Sequence, residues 1–141
     1  MQSKTMTSGF TMIELMAVLA ILAILVVVSL PMYSNYQARA YRRNAQALLA
    51  EVSQREEAYF SQNRAYTQQL NNLGITAAGV LDGLYTVGIA ASSDATYTIT
   101  LVAQGSQASR DSNCKTLTLD NTGNRGATDG SGTDSTSECW P

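Results

Sequence analysis

Between Met12 and Leu30 the chain runs for nineteen residues with a single charge, Glu14. As a helix rising ~1.5 Å per residue, such a run covers a bilayer core of ~30 Å. It has no polar face, so it cannot be one side of a soluble amphipathic helix. Any fold for this chain must therefore start from a helix whose first half needs lipid, or other apolar helices, on every side. Two features distinguish it from an ordinary anchor. The run starts close to the first residue, behind a short segment whose one charged side chain is Lys4. A carboxylate also sits inside its apolar edge, and an ionisable group in that setting calls for a partner.

On the residues alone, Thr11-Met12-Ile13-Glu14 fits a capping box, in which Thr11 and Glu14 satisfy free amides at a helix start. Glu14 there also opposes the positive helix end, worth ~0.3–1 kcal/mol. The box does not account for Gly9-Phe10 just upstream. Gly9-Phe10-Thr11-Met12-Ile13-Glu14-Leu15, ahead of an unbroken apolar helix, resembles the type IV prepilin signature. The resemblance implies a leader, residues 1–9, cut off between Gly9 and Phe10 by a prepilin peptidase, which then N-methylates Phe10. It further implies that Glu14 pairs with the terminal amine of a neighbouring subunit. A carboxylate buried in a filament core is costly unless an opposite charge reaches it, so this pair acts in assembly and performs no chemistry.

Lys4 falls in the leader, which leaves eight basic residues against eleven acidic ones. That balance lacks the basic footprint of a nucleic-acid binder. The absence of histidine excludes Ser-His triads, Cys-His dyads and histidine-dependent zinc sites. Cleavage at Gly9 would leave the apolar helix on the product, unlike removal of a secretory signal peptide. The positive-inside rule places Arg39, Arg42 and Arg43 in the cytoplasm. The resemblance places the amino terminus there instead, in the inner membrane before assembly and in an extracellular filament after it. The two cysteines agree with the resemblance, because a translocated domain meets an oxidising compartment in which Cys114 and Cys139 pair.

Pro31 removes one helical hydrogen bond and bends the helix without ending it. Tyr33 and Tyr36 suit a membrane–water boundary. Related pilins commonly carry a glycine in the apolar run. Here Ala23 stands at the matching position, favouring helix by ~1 kcal/mol and arguing against unwinding between Ala23 and Pro31. Residues 10–37 thus form the membrane or filament-core segment, and 38–141 the globular domain. Tyr41, Ala45, Leu48, Val52, Tyr59 and Phe60 share a stripe, with Glu56 its polar exception, so an amphipathic helix continues to about Gln62. Asn71-Asn72, Gly74, Gly79 and Asp82-Gly83 mark 63–83 as a connector with one short helical turn around 68–73, matching the αβ-loop of pilins.

Three strands come next, at 84–91, 96–104 and 114–120, with Tyr85, Val87 and Ile89, then Tyr97, Ile99, Leu101 and Ala103, then Leu117 and Leu119 facing inward. Ser92 to Ala95 is a hairpin link, and 105–113 reads as a Gln/Ser loop. The expected fold is α+β: one long helix on a small antiparallel sheet. Residues 121–138 are almost devoid of apolar side chains and have little reason to fold unaided. Cys114-Lys115-Thr116-Leu117-Thr118-Leu119-Asp120, Gly123 and the Cys139-Trp140 end are similar to the D-region of PilE-like minor pilins, spanning 114–139, in which a Cys114–Cys139 bond closes the loop. Asp120, Asp129 and Asp134 do not match a calcium-loop pattern, and no cofactor is expected.

The resemblance thus implies a structural subunit of a type IV pilus, a minor pilin of the type IVa class, serving twitching motility, adhesion or DNA uptake. Its partners are other pilin subunits, the prepilin peptidase, the assembly machinery and the lipid bilayer. A type II secretion pseudopilin shares Gly9, Phe10 and Glu14 and is the alternative; the cysteine staple favours the pilus. A DNA-binding receptor is the reading of another class. Against it, residues 74–141 hold seven acids but only Arg110, Lys115 and Arg125. No constellation of catalytic residues points to an enzyme.

Overall fold

The structure is a computed structural model. It describes residues 9–76, 80–93 and 95–140, with the backbone alone at 30, 31 and 91–93. Lys4, Gly79 and Asp94, in the leader and the turns, lie outside the described residues. The chain divides into two units, Met1–Ser34 and Asn35–Pro141.

The first unit contains the start of helix α1, Met12–Asn63. This helix is long and apolar enough to cross a membrane. Phe10 and the large apolar side chains of α1 as far as Val28 are exposed. Ser29 inside the run satisfies its hydroxyl by donating to the Leu25 carbonyl at 2.7 Å. Pro31 lies within the helical bounds and does not end the helix.

In the second unit the remainder of α1 lies on a four-stranded antiparallel sheet in the order β1-β2-β3-β4: Tyr85–Ser93, Thr96–Ala103, Thr116–Asp120 and Arg125–Thr128. β2 shows why an alternating sequence makes this sheet. Tyr97, Ile99, Leu101 and Ala103 are buried, and the threonines between them are half-buried on the other face. Ala45, Leu49 and Val52 of the helix meet Tyr85, Ile99, Leu101 and Leu117 in one core. The stripe is turned slightly from the sequence expectation: Leu49 is fully buried while Leu48 is half-buried at the edge. A short 3₁₀ turn, Leu70–Leu73, stands where the connector was expected to turn helical.

The sequence expectation of three strands and two loops is corrected in three places. Gly105–Arg110 is a helix, α2, because Gln107 is drawn into the interior by hydrogen bonds. Arg125–Thr128 is a strand, although Arg-Gly-Ala-Thr carries no apolar alternation. Residues Thr136–Cys139 form a short helix, α3. The segment 121–138 therefore is folded, held by β3 on one side and by the end of the chain on the other. Gly126 lies opposite Thr118, where a Cβ would fall 2.5 Å from Thr118 Oγ1. The Trp140 indole donates to the Gly126 carbonyl at 2.9 Å, and Thr136 Oγ1 accepts from the Ala127 amide at 2.9 Å. The Cys114–Cys139 disulfide ties the end of the chain beside β3, with Cα atoms 5.6 Å apart.

Candidate functional site

At the amino-terminal end, Gly9 and Phe10 are exposed and precede α1. The Thr11 amide and hydroxyl both donate to Glu14 Oε2, at 3.3 and 3.1 Å, and the Glu14 amide donates to Thr11 Oγ1 at 3.3 Å. The capping box is formed, and it holds the carboxylate at the helix start with its surface still exposed. Glu14 is thus both a cap and a charge presented outward among apolar neighbours: Met12 and Ile13 are 79% and 76% exposed. Gly9, Phe10 and Glu14 lie together here; Pro31 is seventeen residues farther along α1 than Glu14. Cys114 and Cys139 belong to the second unit.

The second unit carries a polar cleft of about 510 Å³ that brings Arg39, Arg42 and Arg43 of α1 to Arg110 at the end of α2. Arg42 is its fixed member. Its Nη1 donates to Asp111 Oδ1 at 2.8 Å and to Cys114 Sγ at 2.7 Å. Asp111 Oδ2 accepts from Gln107 Nε2 at 3.3 Å. Gln107 Nε2 also lies 3.0 Å from both the Ala38 carbonyl and the Tyr85 hydroxyl. Burial pushes the Asp111 carboxyl above its ordinary range, and the Arg42 guanidinium opposes that shift. Burial likewise pushes the Tyr85 phenol up to about 12.

This network was missed from the sequence. Arg42 had a readable signal, since it falls on the same helical face as Ala38, Ala45 and Leu49, at four- and three-residue spacing. Gln107 and Asp111 had none, because a polar residue in a polar segment looks solvated. Gln46 donates to the Cys139 carbonyl at 2.8 Å and helps seat the disulfide end on α1.

The three loop aspartates serve separate turns. Asp120 Oδ1 accepts from the Thr122 hydroxyl and amide and the Asn124 amide, which holds its carboxyl down at about 2. Asp129 caps Ser131 and Thr133, and Asp134 caps Thr136; hydrogen bonds lower both carboxyls. Among the described residues no group of three or more acidic, histidine or cysteine side chains is placed to hold a metal ion.

Residues 31–118 match the family model for the type IV minor pilin ComP, DNA uptake sequence receptor. The chain belongs to this family. Residues 4–30 match the prokaryotic N-terminal methylation motif, which contains Gly9, Phe10 and Glu14. No curated protein matches the chain. Among solved structures it is similar to a type IV pilin from Shewanella oneidensis, at 21% identity over 62% of this chain and 89% of that one, with a TM-score of 0.49. The chain is thus a type IV minor pilin, and the family match favours the pilus over the secretion pseudopilus. The segment that follows α1 in this minor pilin is pinned by Glu56, fully buried, whose Oε2 accepts from the Thr67 amide at 3.1 Å. Its Oε1 has no hydrogen-bond partner, and burial raises its pKa.

Proposed function

We propose that this minor pilin is trimmed between Gly9 and Phe10, methylated on Phe10, held in the inner membrane with its amino terminus in the cytoplasm, and assembled into an extracellular pilus that takes up DNA. The match of residues 31–118 to a family described as a DNA uptake sequence receptor carries the DNA part of this reading. Twitching motility and adhesion are other uses of a pilus, but the family description bears on DNA uptake alone. The charge count over residues 74–141 argued against nucleic acid, yet a count ignores placement. Arg125 is exposed on the edge strand β4, and its guanidinium lies over the Trp140 ring at 5.1 Å. A guanidinium beside a half-buried indole is placed to meet a phosphate or stack on a base.

For assembly, the exposed apolar half of α1 packs against the same half of neighbouring subunits, and Glu14 exchanges Thr11 for a neighbour's Phe10 amine. Pro31 serves at the end of this segment by loosening the backbone where the core gives way to the globular domain.

The DNA reading is tested by gel retardation of duplex DNA with the mature full-length chain in neutral detergent, over a range of salt. Retardation that weakens steeply with salt, and weakens further in Arg125→Gln, is expected. Absence of any retardation at low salt sinks it. Processing is checked by intact mass of the protein from its host's membranes. Loss of residues 1–9 and gain of one methyl are expected; an untrimmed terminus refutes the cleavage. For assembly, Glu14→Gln keeps the helix but should lower incorporation into sheared pili severely, and unchanged incorporation refutes the pairing.

A further inference from the structure

The geometry points to a second binding site: the four-arginine cleft holds the phosphate of an anionic phospholipid headgroup while the subunit resides in the membrane. This inference rests on the membrane stage of the reading above and is independent of DNA uptake.

The cleft has an excess of positive charge that its own acids do not cancel. Four guanidinium groups, at Arg39, Arg42, Arg43 and Arg110, meet two carboxylates, at Asp111 and Glu138. Asp111 is engaged by Arg42 at 2.8 Å, and Glu138 Oε1 accepts from Asn113 Nδ2 at 2.9 Å. The salt bridges among the described residues are Arg42–Asp111 and Arg55–Glu51; Arg39, Arg43 and Arg110 take part in neither. All three are exposed, while Arg42 is held rigid by Asp111 and Cys114. The result is one fixed cation with three adjustable ones around it, and Ser112 is also among the lining residues. Planar guanidinium groups converging on one concavity match a phosphate's oxygens in pairs.

Size and tether select the source of that phosphate. A cleft of about 510 Å³ suits one compact headgroup, whereas a duplex needs a track of cations along its backbone. Arg39 comes nine positions after Leu30, the last residue of the apolar run. Even a fully extended chain of that length reaches only ~30 Å. Chain connectivity alone therefore tethers the cleft within that reach of the inserted run. Tyr33 and Tyr36, which prefer the headgroup layer, lie between the two. Each basic residue near an anionic surface strengthens binding by about fivefold.

The full-length chain is purified in neutral detergent and titrated with phosphatidylglycerol or phosphatidylcholine, and retained lipid is counted by native mass spectrometry. The wild type should retain one phosphatidylglycerol in preference to phosphatidylcholine. Arg39→Gln/Arg43→Gln should weaken retention roughly 25-fold and Arg110→Gln about fivefold, with Arg64→Gln, outside the cleft, unchanged. The two cleft variants alter different helices, so their agreement does not depend on one local disturbance, and circular dichroism checks that each is folded. Equal retention of phosphatidylcholine, or wild-type retention by both cleft variants, overturns the proposal. So does displacement of the lipid by an equal concentration of inorganic phosphate, which makes it a free-phosphate site, or by duplex DNA, which makes it part of the DNA surface. A chain that alkaline carbonate washes from membranes sinks the membrane reading and this proposal together. A chain that stays inserted but shows no headgroup preference sinks this proposal alone.

Discussion

Reducing the Cys114–Cys139 bond should cost the globular unit about 3.5 kcal/mol. The bond joins residues 25 apart in sequence. Cross-linking a loop of that length removes entropy from the unfolded chain worth about 3.5 kcal/mol at 25 °C. Reduction deletes no side-chain heavy atom, so it avoids the truncation cavity that a cysteine-to-alanine change would leave at the buried Cys114 and Cys139. At about 4 °C per kcal/mol, the thermal midpoint should fall by roughly 14 °C. The assay is urea unfolding of the full chain in neutral detergent, followed by circular dichroism, with the protein refolded in the presence or absence of a phosphine reductant. If the effect acts through the unfolded state, the midpoint falls and the denaturant slope rises, because the reduced unfolded chain is more expanded. A midpoint loss equivalent to less than about 1 kcal/mol, with an unchanged slope, would refute the reasoning. It would mean that β4, Trp140 and Gln46 hold the chain's end without the bond.

Arg42→Ala should destabilise by about 2–3 kcal/mol, at or below the usual range for a broken buried pair because this one is partly exposed; Asp111→Asn in the same chain should recover part of the loss in chemical denaturation. Glu56 has a folded-state pKa raised above 4.5 by burial, so its ionisation opposes folding as pH climbs from below 4.5 through the raised value. Glu56→Gln should flatten that part of the stability–pH curve, and an unaltered slope would exclude Glu56 as its source. Asp120 behaves in the opposite sense: its stabilisation is present above 3.8 and is lost as pH falls toward about 2, and Asp120→Ala should remove that acid-side loss in a midpoint series. Gly126→Ala should cost about 1–3 kcal/mol through its clash with Thr118 Oγ1, and adding Thr118→Ala should restore most of it; equal losses in both variants would locate the strain elsewhere.

The alternation in β1, β2 and β3 and the stripe through Ala45 and Val52 were legible because burial of one face imposes a period on the sequence. The slip between Leu48 and Leu49 shows the limit of that reading: both are leucine, and only the sheet above them selects which one is covered. The N-terminal methylation motif was legible at Gly9, Phe10 and Glu14 because these lie within seven consecutive residues. The arginine cleft was only half legible. Arg39, Arg42 and Arg43 stand together in the chain, but Arg110 joins them through α2, an element whose own residues give no helical pattern.

By itself the sequence determined the apolar helix, the cap at its start and three strands of the antiparallel sheet, each of which depends on composition or on spacing within a few residues. The disulfide-closed end was implied by the family resemblance. β4 pairs with the neighbouring β3, and it was hidden because Arg-Gly-Ala-Thr carries no apolar alternation. Tertiary structure alone decided α2 and the cleft, because their stabilising partners are distant in the chain: 69 residues from Gln107 to Ala38 and from Asp111 to Arg42, and 93 from Cys139 to Gln46. A polar side chain that is buried by a partner so far away leaves no local trace, since its environment is created only when the chain closes upon itself.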